Sequence, residues 1–310
     1  MRKPLVSAII PAYNRERTIA RSVGSALAQT YPEIEVIVVD DGSSDRTMQV
    51  LQQFSGRISV HRQENAGPGQ ARNTGAGIAQ GEILAFLDSD DEWLPTKIER
   101  QVRMMQAHGS AMACCICNAR YAQDDGRKDV TSFGLAGLHV PHEHAVWENP
   151  DEVLATTFVL FNQVAAIRKD AFEAVGGFNP TLRLMEDYEL SLRLATLGEW
   201  GIIREPLVVK HEDTRGIGVT AMSDEIKHLN AQEKVFECIL AAPFLARSSI
   251  TGPISAALRR ARFQRSIHQW MLGKPRWLAS AGRAALALDR LRKAVSRRLP
   301  GHPRPRMRPL

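Results

Sequence analysis

Three groups of acidic residues, far apart in this 310-residue chain, have the spacing of working carboxylates: Asp88-Ser89-Asp90-Asp91, Asp40-Asp41-Gly42-Ser43-Ser44-Asp45 and Met185-Glu186-Asp187-Tyr188-Glu189. The first closes the apolar run 83–87. Carboxylates crowded at the end of a buried strand repel one another until a counter-charge neutralises them. A hard divalent cation does so, taking oxygen ligands from the protein and from a substrate phosphate. Asp88 and Asp90, one residue apart, can address one ion across a tight turn. A solvated turn with a helix cap is the alternative. The second group ends the run 35–39. Ser43 or Ser44 is expected to cap the next helix, and an acid at this strand end can accept hydrogen bonds from a base or ribose. The third opens a helix, where acids complement the dipole. Its other reading is a general base that takes a proton from a hydroxyl.

Two further positions can join these acids. Asn65-Ala66-Gly67-Pro68-Gly69-Gln70-Ala71-Arg72-Asn73 opens a helix. It lacks the third glycine of a dinucleotide loop and does not follow the first strand, so that signature is rejected. Arg72, one turn in, can still bind phosphate; a surface arginine is the alternative. His211 ends an extended run and is either a metal or phosphate ligand or a structural histidine. His139, His142 and His144 have no further ligand nearby in sequence and read as surface residues.

The elements that must position these residues alternate. Apolar runs at 5–10 and 35–39 read as buried strands, and 58–62 and 83–87 as a third and a fourth strand. Residues 16–29 and 68–80 have helical spacing, the second closed by Gly81. Such alternation predicts a mostly parallel sheet with helices on both faces. Ligands in such sheets sit beyond the carboxyl ends of the strands, where Tyr13-Asn14, Asp40-Asp41 and Asp88 to Asp91 all fall. A helix to about 108, a strand at 111–119, a long loop at 122–150, a strand at 162–168, a helix at 188–197 and an extended run at 201–209 follow. From 221 the pattern is helical to 240.

Charge divides the molecule. The chain carries +6 overall, yet residues 259–310 hold 15 Lys+Arg against the single acid Asp289, while the remainder is acidic. The parts are expected to meet different partners. Cys114, Cys115, Cys117 and Cys238 lack zinc or disulfide spacing and read as small buried hydrophobes. The first apolar run is too short for a signal peptide core, and no run of 18 apolar residues exists. A cytoplasmic protein is expected.

Taken in order, the motifs resemble the family 2 glycosyltransferases of GT-A fold. The matching text is Val6-Ser7-Ala8-Ile9-Ile10-Pro11-Ala12-Tyr13-Asn14, Val38-Val39-Asp40-Asp41-Gly42-Ser43-Ser44-Asp45, Ala71-Arg72-Asn73-Thr74-Gly75, Phe86-Leu87-Asp88-Ser89-Asp90-Asp91, Gly176-Gly177-Phe178 and Glu186-Asp187-Tyr188-Glu189-Leu190. The resemblance implies an α/β fold, a Rossmann-like mixed, mostly parallel sheet with helices on both faces. It also implies inverting transfer of a sugar from a nucleotide-diphosphate sugar, with Mn²⁺ or Mg²⁺. By the same resemblance Pro11, Ala12, Tyr13 and Asp41 line the base pocket and Arg72 and Asp88 sit near the nucleotide. Asp90, Asp88 and His211 serve the metal and diphosphate, and Asp187, with Glu186 beside it, is the catalytic base. The polymerising members' Gln-x-x-Arg-Trp motif is not evident, which favours single-sugar transfer to a glycan or glycolipid acceptor in the cell envelope.

The expected organisation is a catalytic domain at 1–220, with a nucleotide-binding half at 1–110 and an acceptor-binding half at 111–220. A helical basic extension at 221–300 and a disordered tail at 301–310 follow. In the extension Trp277, Ala281, Ala284, Leu288, Leu291, Val295 and Leu299 fall on one side of a helical wheel, and Arg276, Arg283, Arg290, Arg297 and Lys293 on the other. Residues 254–300 can thus lie on an anionic membrane at its inner face, or pack on the catalytic domain. Nothing resembles a nucleic-acid reading motif. Two rivals remain. A sugar-phosphate nucleotidylyltransferase needs a Gly-rich loop where Pro11-Ala12-Tyr13-Asn14 stands. A non-catalytic nucleotide- or membrane-binding relative is disfavoured by the three intact acid groups.

Overall fold

The computed structural model describes residues 2–122, 130–211, 225–242, 250–271, 285–287, 289 and 303–310. The chain divides into two units: Met1–Pro150 with Thr157–Glu212 and Pro305–Leu310, and Asp151–Thr156 with Asp213–Arg304. The second unit therefore takes residues 151–156 out of the span expected for the catalytic domain.

In the first unit β1 (Val6–Ala12), β2 (Ile34–Asp40), β3 (Ser59–Arg62) and β4 (Ile83–Phe86) are the expected strands. Between them run α1 (Ile19–Leu27), α2 (Thr47–Leu51) and α3 (Pro68–Ile78). β1 pairs in parallel with β2 and β4, and β2 with β3. β1 and β4 are buried along their whole length, as the inner strands of a covered parallel sheet must be. α3 lies tight on β1: a Cβ on Gly75 would sit 2.4 Å from Ile9 Cγ2.

Next come β5 (Glu92–Trp93), α4 (Lys97–His108), β6 (Cys114–Tyr121), α5 (Ser132–Ala136), β7 (His144–Trp147) and α6 (Pro150–Leu154). Apart from Pro150, α6 belongs to the second unit; the first continues with β8 (Ala165–Arg168), α7 (Lys169–Ala174), α8 (Glu186–Ala195), β9 (Trp200–Lys210) and β10 (Met307–Pro309). β6 runs parallel to β9, and β8 joins the halves, antiparallel to both β6 and β4. The mixed sheet has ten strands in the order β10-β7-β9-β6-β8-β4-β1-β2-β3, with β5 beside β9. Trp93, Trp147, Trp200, Phe86, Phe161 and Phe178 fill its core. Cys114, Cys115 and Cys117 are buried free thiols on β6, and burial pushes Cys117 up to about 11, so it is inert at neutral pH.

Five local expectations are corrected. Ser43 and Ser44 do not cap α2; Asp45 Oδ1 accepts from Thr47 N instead (2.9 Å), which frees Ser43 Oγ to accept from Asn14 N (2.9 Å). Gly81 does not close α3, whose C-cap is Ala79. Gly81 is needed because a Cβ there would lie 2.5 Å from Ser7 Oγ. The run 162–168 starts as a 3-10 turn, Asn162–Val164, because its polar first residues serve side-chain contacts rather than a ladder. The stretch 122–150 contains α5 and β7 and is not one loop, since Ala145-Val146-Trp147 pair with β9 and are buried. The tail expected to be disordered supplies β10, antiparallel to β7, with Arg308 paired to Glu148 and Glu199.

In the second unit α9 (Glu225–Ala241) and α10 (Thr251–Met271) pack together. Val235, Ile239, Ile254 and Leu258 are buried. Arg262 pairs with Glu237, Arg265 with Glu233, and Arg260 with Asp289. The basic amphipathic helix read at 277–299 lies outside the described residues apart from 285–287 and 289.

Candidate functional site

Because β1, β2 and β4 are parallel, their carboxyl ends share one edge of the sheet. Tyr13 leaves β1 there and is 40% exposed, an aromatic face open to solvent, while Pro11 and Ala12 are buried in the strand. Asn14 follows at φ +53, a left-handed turn that asparagine tolerates. Its Oδ1 accepts from Ser44 N (2.8 Å), tying the end of β1 to the loop after β2. Asp41, buried in that loop, accepts from Gln63 Nε2 (2.8 Å), Ala66 N (2.9 Å) and Gly67 N (2.8 Å). It shapes the entry to α3, and little of its accepting capacity is left for a nucleotide base.

Arg72, buried on α3, joins two acid groups. Its Nη2 donates to Asp88 Oδ1 (2.6 Å) and its Nη1 to Glu186 Oε1 (2.7 Å), 114 residues along the chain. Burial alone would lower its pKa, but Asp88 and Glu186 outweigh that and hold it above its ordinary value. The guanidinium lies 5.4 Å from the centre of the Phe178 ring. Asn73 brackets Phe178, donating to its carbonyl (2.8 Å) and accepting from its N–H (2.9 Å). The Ala71-Arg72-Asn73 and Gly176-Gly177-Phe178 motifs are therefore one contact.

Oxygens of Asp88, Asp90 and Asp91 all lie within 4.8 Å of one another. Their partners differ sharply. Asp88 has Arg72 and Gln163 Nε2 (2.5 Å). Asp91, wholly buried, has Gln163 Nε2 (2.7 Å), Lys210 Nζ (3.1 Å) and His211 N (2.9 Å). Among the described residues the Asp90 carboxylate has only Arg15, at 3.7 Å. Burial first, then Asp88 and Asp91, push Asp90 up to about 6. Burial pulls Lys210 down, yet the three acids outweigh it and hold the ammonium above its usual range. The three-oxygen donor set, with an Asp90 that has few partners and a buried Gln163 Oε1 that has none among the described residues, fits a hard divalent cation.

Glu186 and Asp187 occupy the first turn of α8. Met185 leads into them at φ +60, a left-handed conformation that costs a residue with a Cβ about 1–2 kcal/mol. Asp187 Oδ1 accepts from Tyr188 N (2.8 Å). Burial, then the Glu186 charge, push Asp187 up to about 7, with Arg72 pulling the other way and Asp88 adding to the rise. The two clusters thus sit close enough to share one arginine and to sense each other's charge.

Most of the residues singled out from sequence are brought to this edge. His211 arrives differently from the expectation. Its backbone N–H binds Asp91, but its ring Nε2 lies 3.3 Å from Glu92 Oε2, and the ring is not in the oxygen cluster. Asn14, Asn73, Asp91, Gln163 and Lys210 were not assigned roles from sequence. Asp91 and Lys210 adjoin assigned residues and carry charge; the three amides leave no such trace.

The family model for glycosyl transferase family 2 matches residues 7–176, and the chain belongs to that family. It is 48% identical over 103 residues to the Escherichia coli UDP-Glc:alpha-D-GlcNAc-diphosphoundecaprenol beta-1,3-glucosyltransferase WfgD, a match covering 33% of this chain and 41% of that one. The chain spans 41 to 62% of the length of the first curated relatives it matches. Its fold is that of S. aureus TarS 1-349 in complex with UDP-GlcNAc (TM-score 0.65, 19% identity, 88% of this chain and 76% of that one). It is also that of the mannosyltransferase PcManGT from Pyrobaculum calidifontis in complex with GDP-Man and Mn²⁺ (TM-score 0.56, 21% identity, 93% and 81%).

Proposed function

We propose that the protein is an inverting glycosyltransferase that moves one sugar from a nucleotide-diphosphate donor to an acceptor hydroxyl, in synthesis of an envelope polysaccharide or glycolipid. The observation that carries this is Arg72, bonded at once to Asp88 and Glu186. Displacement at an anomeric carbon needs positive charge at the departing diphosphate and a proton acceptor at the incoming hydroxyl. One guanidinium holding both acid groups supports a single cleft for both tasks.

Asp90, Asp88 and Asp91 would hold Mn²⁺ or Mg²⁺, which when bound stabilises the charge on the leaving diphosphate. Asp187 takes the acceptor proton. A carboxyl pushed to about 7 is a stronger base than an ordinary aspartate, yet is still largely ionised just above neutrality. Tyr13, Pro11, Ala12 and the last accepting position of Asp41 face the base, and Arg72 and Lys210 place fixed positive charge at the phosphate end. His211 serves that site through its backbone N–H to Asp91; its ring becomes a ligand only after leaving Glu92. Residues 1–110 serve the donor and 111–220 the acceptor. The acceptor named for WfgD, a sugar on diphosphoundecaprenol, supports a glycolipid acceptor here. Incubation with a panel of nucleotide sugars, Mn²⁺ and lipid-diphosphate sugars should yield a product of inverted anomeric configuration. Failure to transfer or hydrolyse any donor would count against the reading.

A glycolipid acceptor calls for work at a membrane surface, and residues 254–300 supply the basic charge for it. Among the described residues, no helix is long and apolar enough to cross a membrane. Peripheral attachment at the inner face of the cell membrane is the form proposed. On α10, Arg259 and Phe263 are exposed, whereas Arg262 and Arg265 are partly neutralised by α9. The protein should sediment with vesicles containing phosphatidylglycerol, not with purely zwitterionic ones, and should be released by about 0.5 M salt as screening shortens the reach of the charges. Equal sedimentation with both vesicle types would refute the electrostatic attachment.

A further inference from the structure

Three buried polar side chains behind the acids take no part in the chemistry above. Lys97 and Gln101 are wholly buried and Trp93 nearly so. Trp93 Nε1 donates to the carbonyl of Gln163 (2.9 Å), Gln101 Nε2 to that of Val164 (2.7 Å) and Lys97 Nζ to that of Ala165 (3.5 Å). Lys97 Nζ also donates to Gln101 Oε1 (2.8 Å) and lies 4.2 Å from the centre of the Trp93 ring. Three successive carbonyls are each held by a side chain. Burying an ammonium is costly unless it is hydrogen-bonded, and a leucine or methionine would fill the space without that cost. The expense is understandable if the turn Asn162–Val164 must not move.

That turn carries the two amides that touch the site. Gln163 Nε2 donates to both Asp88 Oδ2 (2.5 Å) and Asp91 Oδ2 (2.7 Å), one hydrogen to each acid. Its Oε1 is buried and has no partner among the described residues. It cannot be flipped, because the oxygen would then face two carboxylates. Asn162, with its amide oxygen turned toward the donors, accepts from Arg72 Nη1 and Nη2 at 3.2 Å.

We propose that Gln163 is a positioning residue of the cation site: its Nε2 sets the separation of Asp88 and Asp91, and Trp93, Gln101 and Lys97 form the frame that fixes it. The inference rests on the metal reading of the acids. Without the amide, Asp88 and Asp91 repel and drift apart, and the ion meets a wider, less organised set of oxygens. Outer-shell partners of this kind typically change metal affinity by about 10–100-fold when removed.

The test is Mn²⁺ binding to the full chain with UDP or GDP present, followed by the electron paramagnetic resonance of free Mn²⁺. Gln163→Met keeps the side chain's length and removes donor and acceptor. It should raise the Mn²⁺ Kd about 10–100-fold, with turnover recovering at saturating Mn²⁺. A merely structural role would lower the thermal midpoint and leave the Kd alone, and that result would overturn the proposal. Lys97→Met removes a buried charge, which offsets the stranding of Gln101 Oε1; with its fold checked by thermal melting, it covers the case in which Gln163→Met does not fold. It should still weaken Mn²⁺, by less than Gln163→Met; an unchanged Kd would remove the frame. Wild-type protein that binds no Mn²⁺ overturns the metal reading itself and this inference with it. Wild type and Gln163→Met binding Mn²⁺ alike overturn this inference alone.

Discussion

Asp187→Asn should lower kcat by about 10²–10⁴-fold, the usual contribution of a positioned general base, while leaving donor binding nearly intact. The amide keeps the size and the acceptor for Tyr188 N but cannot take a proton. In the wild type, kcat should rise with pH through about 7 as Asp187 ionises. The same shift has a stability signature of defined sign. The folded-state value of about 7 lies above the ordinary 3.8. Asp187 therefore favours the folded state fully below about 4, and that contribution is lost as pH rises through 7. Asp187→Asn should melt above wild type at pH 8 and show no such advantage at pH 4. Thermal melts at the two pH values, with the kcat profile, check this. A variant that keeps wild-type kcat would move the base elsewhere.

Arg72→Met should destabilise the protein by about 3–5 kcal/mol, because removing one member of a buried ionic group strands the others. Here one guanidinium serves Asp88 and Glu186, and its side chain is only 5% exposed. Adding Glu186→Gln to Arg72→Met should recover part of the loss, since one stranded charge is then gone. Urea unfolding of wild type, single and double variants measures both effects. A loss under about 0.5 kcal/mol, the scale of an ordinary surface substitution, would mean that Arg72 does not hold the two groups together.

The parts of this site that sequence revealed are those whose chemistry is local. The buried runs of β1, β2 and β4 end in polar residues, and the parallel order puts those ends on one edge. Asp88, Asp90, Glu186, Asp187 and Arg72 were legible as charges in unusual places. The amides were not. Gln163 acquires its role only because the 3-10 turn after Phe161 carries it between β4 and β9, and one neutral residue in an apolar run gives no sign of that. The run 162–168 looked like one strand because a short buried turn and a short buried strand share a composition. β7 and β10 are illegible in the sequence for a different reason. Each is three or four residues long, and they pair across more than half the chain, so neither has a pattern of its own. His211 shows the limit of position-by-position transfer: the backbone is where the resemblance places it, but Glu92 holds the ring.

Calorimetric titration of UDP and GDP, with Mn²⁺ and then with a chelator, against wild type and Asp90→Asn shows whether the acid cluster binds a nucleotide diphosphate through a cation. Among the described residues Asp90 has the fewest partners of the three clustered acids, so it has most to gain from a cation. Diphosphate binding should require Mn²⁺ and be lost in Asp90→Asn, while that variant stays folded. Equal binding with metal and with chelator, or undiminished Mn²⁺-dependent binding in Asp90→Asn, would contradict binding through a cation.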